Sequence, residues 1–317
     1  MIRSKISKLI SFGPGVCATS VLHSACVRLP FASSAAKYWN ERRHEAVIRY
    51  LMACCGDVIE RHRNDEVAPL APAAWVPRVW TMWWQGEEAM PEEARICVAS
   101  MREHSSGCEV VVVSKENIDK FIELPAHIKT KLGDGITYAH LSDIVRAMLL
   151  AEHGGLWIDA CVLCDRDIPR WVFDRPYFTV RPGERDISCI SRARWVGGVT
   201  GGVPCNVYAS FLSDFLIEYW RHEDVLIDYF LIDYATEIAY REIPSYRAAL
   251  DSLPLNSEGL FLLNEIANRP LGGGCSLEEA LSNGPFFCLS HKLDHMVENE
   301  GEQTVYGAIK KRYLKGA

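Results

Sequence analysis

The 317-residue chain lacks an apolar run long enough to cross a bilayer. Its most apolar stretch, residues 9–36, is interrupted by Pro14, His23, Arg28 and Pro30, and it has no compact apolar core of the kind a signal peptide needs. Low-complexity tracts are missing too. With 24% charged and 49% hydrophobic residues the chain can bury a sizeable core, which excludes disorder as its default state. No internal repeat is visible. An excess of basic residues is also missing: the net charge is -7, so no nucleic-acid partner is expected, because such a partner requires a basic footprint. Cysteine itself is plentiful, at twelve, but a disulfide framework is not apparent. The cysteines are scattered through apolar surroundings, as buried thiols are in a reducing compartment, so a cytoplasmic location is expected. Cys161 and Cys164 form a C-x-x-C with no second pair at zinc-ribbon spacing, which points to core packing.

The charge is unevenly distributed. Residues 1–63 contain ten Lys/Arg and four Asp/Glu, a balance of +6, which leaves -13 for the rest. A basic segment suits an anionic membrane surface, and residues 2–12 combine Lys/Arg with Ile/Leu. Peripheral contact with the inner face of the membrane is expected there; a solvated, unevenly charged helical region is the alternative. Residues 1–66 read as a helical N-terminal extension, with Ser33 or Ser34 capping a helix to about His62. The Pro/Ala-rich stretch 67–75 reads as a linker and 76–317 as the main domain.

From Val76 the pattern alternates. Strands are expected at 78–83, 109–113 and 156–163. Helices are expected at 91–103, after Ser114, and at 137–153, the last stopped by Gly154-Gly155. Two more are expected at 206–222 and 224–241, then a glycine-rich loop at 272–274 and a short strand at 286–289. Strand–helix alternation predicts an α/β fold with a mixed, mostly parallel central sheet, in which ligands sit beyond the carboxyl ends of the strands.

The most informative residues are Ala139-His140-Leu141-Ser142-Asp143-Ile144-Val145-Arg146 and, after the Gly-Gly stop, Leu156-Trp157-Ile158-Asp159-Ala160-Cys161. Asp143 and Arg146 share a helical face, and the stop brings that face toward the strand ending in Asp159. A carboxylate after Leu-Trp-Ile is costly unless a cation, a ribose hydroxyl or an arginine compensates it. This segment resembles the donor-binding region of the capsular polysaccharide synthesis proteins, relatives of the family 32 glycosyltransferases with a DXD sugar-binding region. Three more stretches are similar in the same order: 78–86 (Arg-Val-Trp-Thr-Met-Trp-Trp-Gln-Gly), 226–234 (Leu-Ile-Asp-Tyr-Phe-Leu-Ile-Asp-Tyr) and 289–292 (Leu-Ser-His-Lys). Together they cover about residues 75–310.

The resemblance implies a GT-A type fold, a nucleotide-diphosphate sugar donor, a saccharide or glycolipid acceptor, and a divalent cation, Mn²⁺ or Mg²⁺. Such an ion stabilises the charge of the departing diphosphate. It also implies that Asp159 holds the metal or the ribose and that Asp143 and Arg146 meet the sugar or diphosphate; position on the first strand and its loop favours Thr81, Trp83 and Gln85 near the nucleotide. At position 161 cysteine replaces the second aspartate of the motif, and cysteine is a poor ligand for hard cations. Ser290 or His291 would then complete the metal site with Asp159, or Lys292 or Arg146 would carry the phosphate charge without metal. Asp165-Arg166-Asp167 is a formal D-x-D but reads as a turn before Pro169. Asp228 and Asp233, five apart on an expected helix, flank its apolar stripe as candidate acceptor-side carboxylates or as solvated edge residues. His140 reads equally as a neighbour of Asp143 without a task. The expected function is hexosyl transfer in capsular or other surface polysaccharide synthesis, with retention suggested. The alternatives are a degenerate saccharide- or nucleotide-binding protein and a sugar-phosphate transferase.

Overall fold

The computed structural model describes residues 11–29, 33–67, 74–183, 188–271 and 276–314. Residues 2–10 of the expected membrane segment, most of the expected linker and the 272–274 loop lie outside them. The N-terminal part is helical: α1 (Gly13–Val27), α2 (Ser33–Cys54) and α3 (Gly56–His62). The helix expected to run unbroken to His62 is interrupted at Cys55, whose φ of -115° and ψ of 29° leave the helical region.

The central sheet uses β1 (Arg78–Met82), β2 (Glu109–Val113), β3 (Gly155–Ile158), β5 (Phe178–Val180) and β6 (Val196–Gly202) in the order β2-β1-β3-β6-β5. β1 is parallel to β2 and to β3; β6 runs antiparallel to β3, and β5 antiparallel to β6. Four of the five strands therefore point the same way, a mixed and mostly parallel sheet. The third expected strand, 156–163, is split. The Val162 N–H donates to Asp159 O at 2.9 Å and turns the chain. β4 (Val162–Cys164) then pairs with β7 (Phe286–Cys288) in a separate ribbon.

Between β1 and β2 runs α4 (Glu92–His104); α5 (Ala126–Lys131) and α6 (Tyr138–His153) lead into β3. The α6 helix begins where the Thr137 side chain accepts the His140 N–H, and it ends at Gly154, with φ of +63°. Gly155 is required for a different reason: a Cβ there would lie 2.3 Å from Arg78 O on the neighbouring strand. The chain continues through α7 (Val207–His222), α8 (Leu231–Glu242), α9 (Pro244–Asp251), α10 (Leu263–Ile266), α11 (Leu277–Ala280) and the β8 (Glu298–Asn299)–β9 (Glu302–Gln303) hairpin to α12 (Val305–Tyr313).

The helix expected at 224–241 starts only at Leu231. Ahead of it the chain is tied in a turn, with Val225 O and Ile227 N–H bonded to the Tyr219 hydroxyl and the Phe230 N–H bonded to Asp228 Oδ1 at 3.0 Å. Asp228 and Asp233 therefore do not share a helix.

The N-terminal helices join the main core. Val47, Leu51 and Val58 are buried in the same apolar cluster as Leu149, Phe211 and Ile238. α2 also packs on α8, where His44 Nδ1 and the Tyr234 hydroxyl are 2.7 Å apart and Arg241 pairs with Glu45 at 2.9 Å. Leu51 is wholly buried. Leu51→Ala is expected to cost about 2–5 kcal/mol in denaturant unfolding. One shared transition for the whole chain is expected, and a separate transition for the N-terminal helices would refute the common core.

Candidate functional site

A cavity of about 590 Å³, within the size range of small-ligand sites, opens at one end of the sheet. Residues 82–85 follow β1 into its wall, and Asp159 follows β3. Because β6 runs the opposite way, its first residues, Val196–Gly198, reach the same end. The first turns of α6 contribute Tyr138, His140 and Asp143; the 229–233 segment and His291-Lys292 complete the enclosure.

Arg146 lies at the floor, 4% exposed. A buried guanidinium is costly unless its donors are matched, and here the two terminal nitrogens are matched while Nε is buried without a hydrogen-bond partner. One terminal nitrogen binds Asp143 Oδ1 and the other binds Gly197 O; the second also stands 3.5 Å from Asp159 Oδ1. The guanidinium further lies over the Trp157 ring at 5.5 Å. The fork expected to grip phosphate is thus engaged by the protein itself and ties α6, β3 and β6 together. Burial pushes the Asp143 carboxyl up to about 7; Arg146 pulls against this, and Asp159 and Asp233 add to it.

Asp159 is held where β3 ends. Its N–H donates to Gly198 O at 2.8 Å, and Oδ1 accepts the Trp157 indole N–H at 2.7 Å. Its side chain remains 38% exposed to the cavity. Cys161 lines the same wall, but burial and the nearby Asp159 push its thiol up to about 12, so it is protonated at neutral pH. Ser290 does not line the cavity. Its hydroxyl accepts the Lys292 N–H at 3.3 Å, and its N–H donates to Asn264 Oδ1 at 3.0 Å. Among the described residues no group of three His, Cys, Asp or Glu side chains is arranged to hold a metal ion. Asp159 and His291 both line the cavity, and Ser290 does not join them there.

The two candidate acceptor-side carboxylates separate. Asp228 does not line the cavity, contrary to expectation; the turn that precedes α8 leaves it ion-paired with Arg43 of α2. Asp233 lines the cavity and accepts the Trp195 indole N–H at 2.7 Å. Burial pushes it up to about 6 against the pull of that hydrogen bond and of Arg146. His140 is neighboured by the Thr137 hydroxyl, 2.9 Å from Nδ1, and burial lowers its pKa.

The aromatic wall follows the same sorting. Trp80 is buried, donating its indole N–H to Gly154 O at 2.8 Å, and Thr81 is buried beside it, outside the cavity lining. Trp83 meets the His291 ring edge-on at 5.8 Å, and Trp84 faces Tyr138 at 6.4 Å. Lys292 is exposed at the lining. The formal D-x-D is committed elsewhere, Asp165 to Arg312 at 3.4 Å and Asp167 to His104 at 3.0 Å.

Sequence reasoning missed β5 and β6, and with them Gly197, Gly198 and Trp195. Glycines weaken a strand on local propensity, yet glycine within a strand also marks close approach. Here a Cβ on Gly198 would stand 2.8 Å from Asp159 Oδ2, whereas one on Gly197 would make only ordinary contact with the Arg146 guanidinium at 3.6 Å. The run Val-Gly-Gly-Val-Thr-Gly-Gly was the available signal.

Fold and site together define a mixed α/β protein with a ligand-sized, carboxylate-bearing cleft at its strand ends. Residues 30–309 match the family described as capsular polysaccharide synthesis protein, and the chain belongs to that family. The match begins well before residue 75 and includes α2 and α3. Among solved structures the chain is similar to one titled "PaToxG Glycosyltransferase", at 14% identity and a TM-score of 0.38, covering 66% of this chain and 89% of that one. No protein with a curated description matches the chain.

The nearest atom to a Cβ at Gly198 is the end of a side chain, so Gly198→Ala is expected to displace the Asp159 carboxylate and leave the fold in place. A misplaced group of this kind costs roughly 100-fold in turnover. Unchanged ligand binding and turnover in a folded Gly198→Ala protein would show that the Asp159–Gly198 contact does not matter.

Proposed function

We propose that the protein is a glycosyltransferase of GT-A architecture that moves a hexosyl group from a nucleotide-diphosphate sugar to a saccharide or glycolipid acceptor, in capsular or other surface polysaccharide synthesis. The observation that carries this reading is the placement of Asp159 at the end of β3, facing a cavity shared with the aromatic loop after β1 and with Lys292. Ligands of α/β sheets bind beyond the carboxyl ends of strands. Trp83, Trp84 and Gln85 suit a base or a sugar face, offering a π-surface and an amide. Asp159 suits a ribose or sugar hydroxyl, since one carboxylate oxygen already holds the Trp157 indole. Arg146 acts as a positioning residue, because its fork is engaged by Asp143 and Gly197. Lys292 then carries the growing charge of the leaving diphosphate as a mobile point charge.

With retention, the leaving phosphate takes the acceptor proton and no side-chain base is needed. Inversion is a second reading, favoured by Asp233: a cavity-lining carboxylate at about 6 is ionised at neutral pH and basic enough to accept a proton. NMR of the product anomer separates the two courses.

A panel of nucleotide-sugars screened by thermal shift identifies the donor, since a ligand at 100 times its Kd stabilises by about 2.7 kcal/mol. With that donor, Asp159→Asn is expected to lower turnover roughly 100-fold or more while the fold persists. Release of a nucleoside diphosphate is expected, assayed with and without added Mn²⁺. Nucleoside monophosphate release would identify sugar-phosphate transfer instead, and near-parental turnover of Asp159→Asn would remove Asp159 from the site. If Asp233 is the base, kcat/KM rises with pH through about 6. Trp195→Phe removes the hydrogen bond that favours the ionised form, so the rising limb moves to higher pH. A limb that stays put rules Asp233 out.

A further inference from the structure

Helix α1 contains no Asp, Glu, Lys or Arg and is apolar around most of its circumference. A helix of that kind is normally covered on all sides. Here one side is covered: Val16 is buried, Phe12 just ahead of the helix is buried edge-on to Tyr50 at 5.2 Å, and α1 packs principally on α2. Side chains on the other side are exposed. Val21 and Leu22 are 44% and 39% exposed, Val27 and Leu29 are 62% and 59% exposed, and Ala18 and Ala25 are exposed between them. Positions 18, 21, 22, 25 and 29 follow the three-and-four spacing of a single stripe. Phe12, expected among the membrane-facing residues, is instead part of the protein interior.

The charge of this part of the sequence indicates what covers the stripe. Residues 1–40 carry five basic side chains, Arg3, Lys5, Lys8, Arg28 and Lys37, and no Asp or Glu, within a chain of net charge -7. A second copy would bring two basic segments together, which like-charge repulsion disfavours. An anionic lipid surface complements both the apolar stripe and the charge. Spanning is a separate matter: no helix among the described residues is long and apolar enough to cross a membrane. α1 also lies outside the residues that match the family, which begin at 30.

We propose that α1 docks on an anionic membrane surface, with Val21, Leu22, Ala25 and Leu29 entering the headgroup boundary and the Lys/Arg of residues 1–40 meeting lipid phosphates. Through α2 this surface is joined to the rim of the cleft. The Asn40 side-chain amide donates to Ser188 O at 2.6 Å, and Arg43 pairs with Asp228, next to the exposed rim residues Tyr229 and Phe230. A membrane held at α1 thus presents lipid-anchored glycans as acceptors beside the cleft mouth. That last step rests on the glycosyltransferase reading; the lipid contact does not.

The test is flotation of the full chain with phosphatidylcholine vesicles, with and without phosphatidylglycerol. Co-flotation is expected with the anionic vesicles only, and it should weaken as salt is raised. Val21→Asp combined with Leu22→Asp is expected to weaken it roughly tenfold or more. Because that pair could disturb packing on α2, a second variant combines Arg3→Glu, Lys5→Glu and Lys8→Glu, which leaves α1 untouched and is expected to abolish the preference for anionic lipid. No flotation with any vesicle, or equal flotation of parent and both variants, overturns the proposal. So does a dimer seen by light scattering that Val21→Asp/Leu22→Asp disrupts in a chain that ignores vesicles. Vesicle binding without sugar transfer would sink the enzyme reading alone, and sugar transfer without vesicle binding would sink this one alone.

Discussion

A guanidinium removed from water costs several kcal/mol unless each of its strong donors finds an acceptor. Arg146 meets that demand at its two terminal nitrogens, though not at its buried Nε, with partners drawn from three places: Asp143 one turn earlier on α6, the Gly197 carbonyl near the start of β6, and Asp159 after the end of β3. Much of the cleft geometry follows from that requirement. Gly198 of β6 leaves room for the Asp159 carboxylate, since a Cβ there would stand 2.8 Å from Oδ2; Asp159 lies 3.5 Å from the Arg146 guanidinium, and Asp143 is held where burial raises its carboxyl to about 7.

Around that clamp the carboxylates differ in their surroundings. Asp159 is partly open to the cavity and bound by an indole; Asp233 is deeper and also bound by an indole; Asp228 is outside and neutralised by Arg43. Three acidic residues of one short-range type acquire three different environments, and only burial and partner distinguish them. Cys161 illustrates the same point from the other direction. A protonated thiol at position 161 adds no charge to the wall, which it shares with the exposed ammonium of Lys292.

The helices before residue 63 are part of this arrangement. Their apolar side chains enter the common core, Asn40 and His44 reach the Ser188 carbonyl beside the cavity-lining Cys189, and Arg43 reaches Asp228 beside Tyr229. Family membership from residue 30 onward agrees with this packing. α1 alone stands apart, resting on α2 with an apolar side uncovered.

Strong local signals were legible in the chain. The α6 helix with its Gly-Gly stop, the β-branched β2 strand and the Asp143–Arg146–Asp159 constellation depend on spacing and on residue types that act over a few positions. The β5 and β6 strands were not legible, because Gly-rich β6 has little strand propensity of its own and is held by pairing with Gly155–Ile158. Nor was the start of α8 at Leu231, since the preceding turn is tied by the Tyr219 hydroxyl from another helix. The sequence by itself determined that a helix bearing Asp143 and Arg146 would feed a strand ending in Asp159. Only the tertiary structure decided that Arg146 is engaged by the protein, that Asp228 leaves the cleft and Asp233 enters it, and that Ser290 stays apart. Those outcomes depend on which distant backbone carbonyl or side chain arrives within hydrogen-bonding reach, and no local pattern encodes that distance.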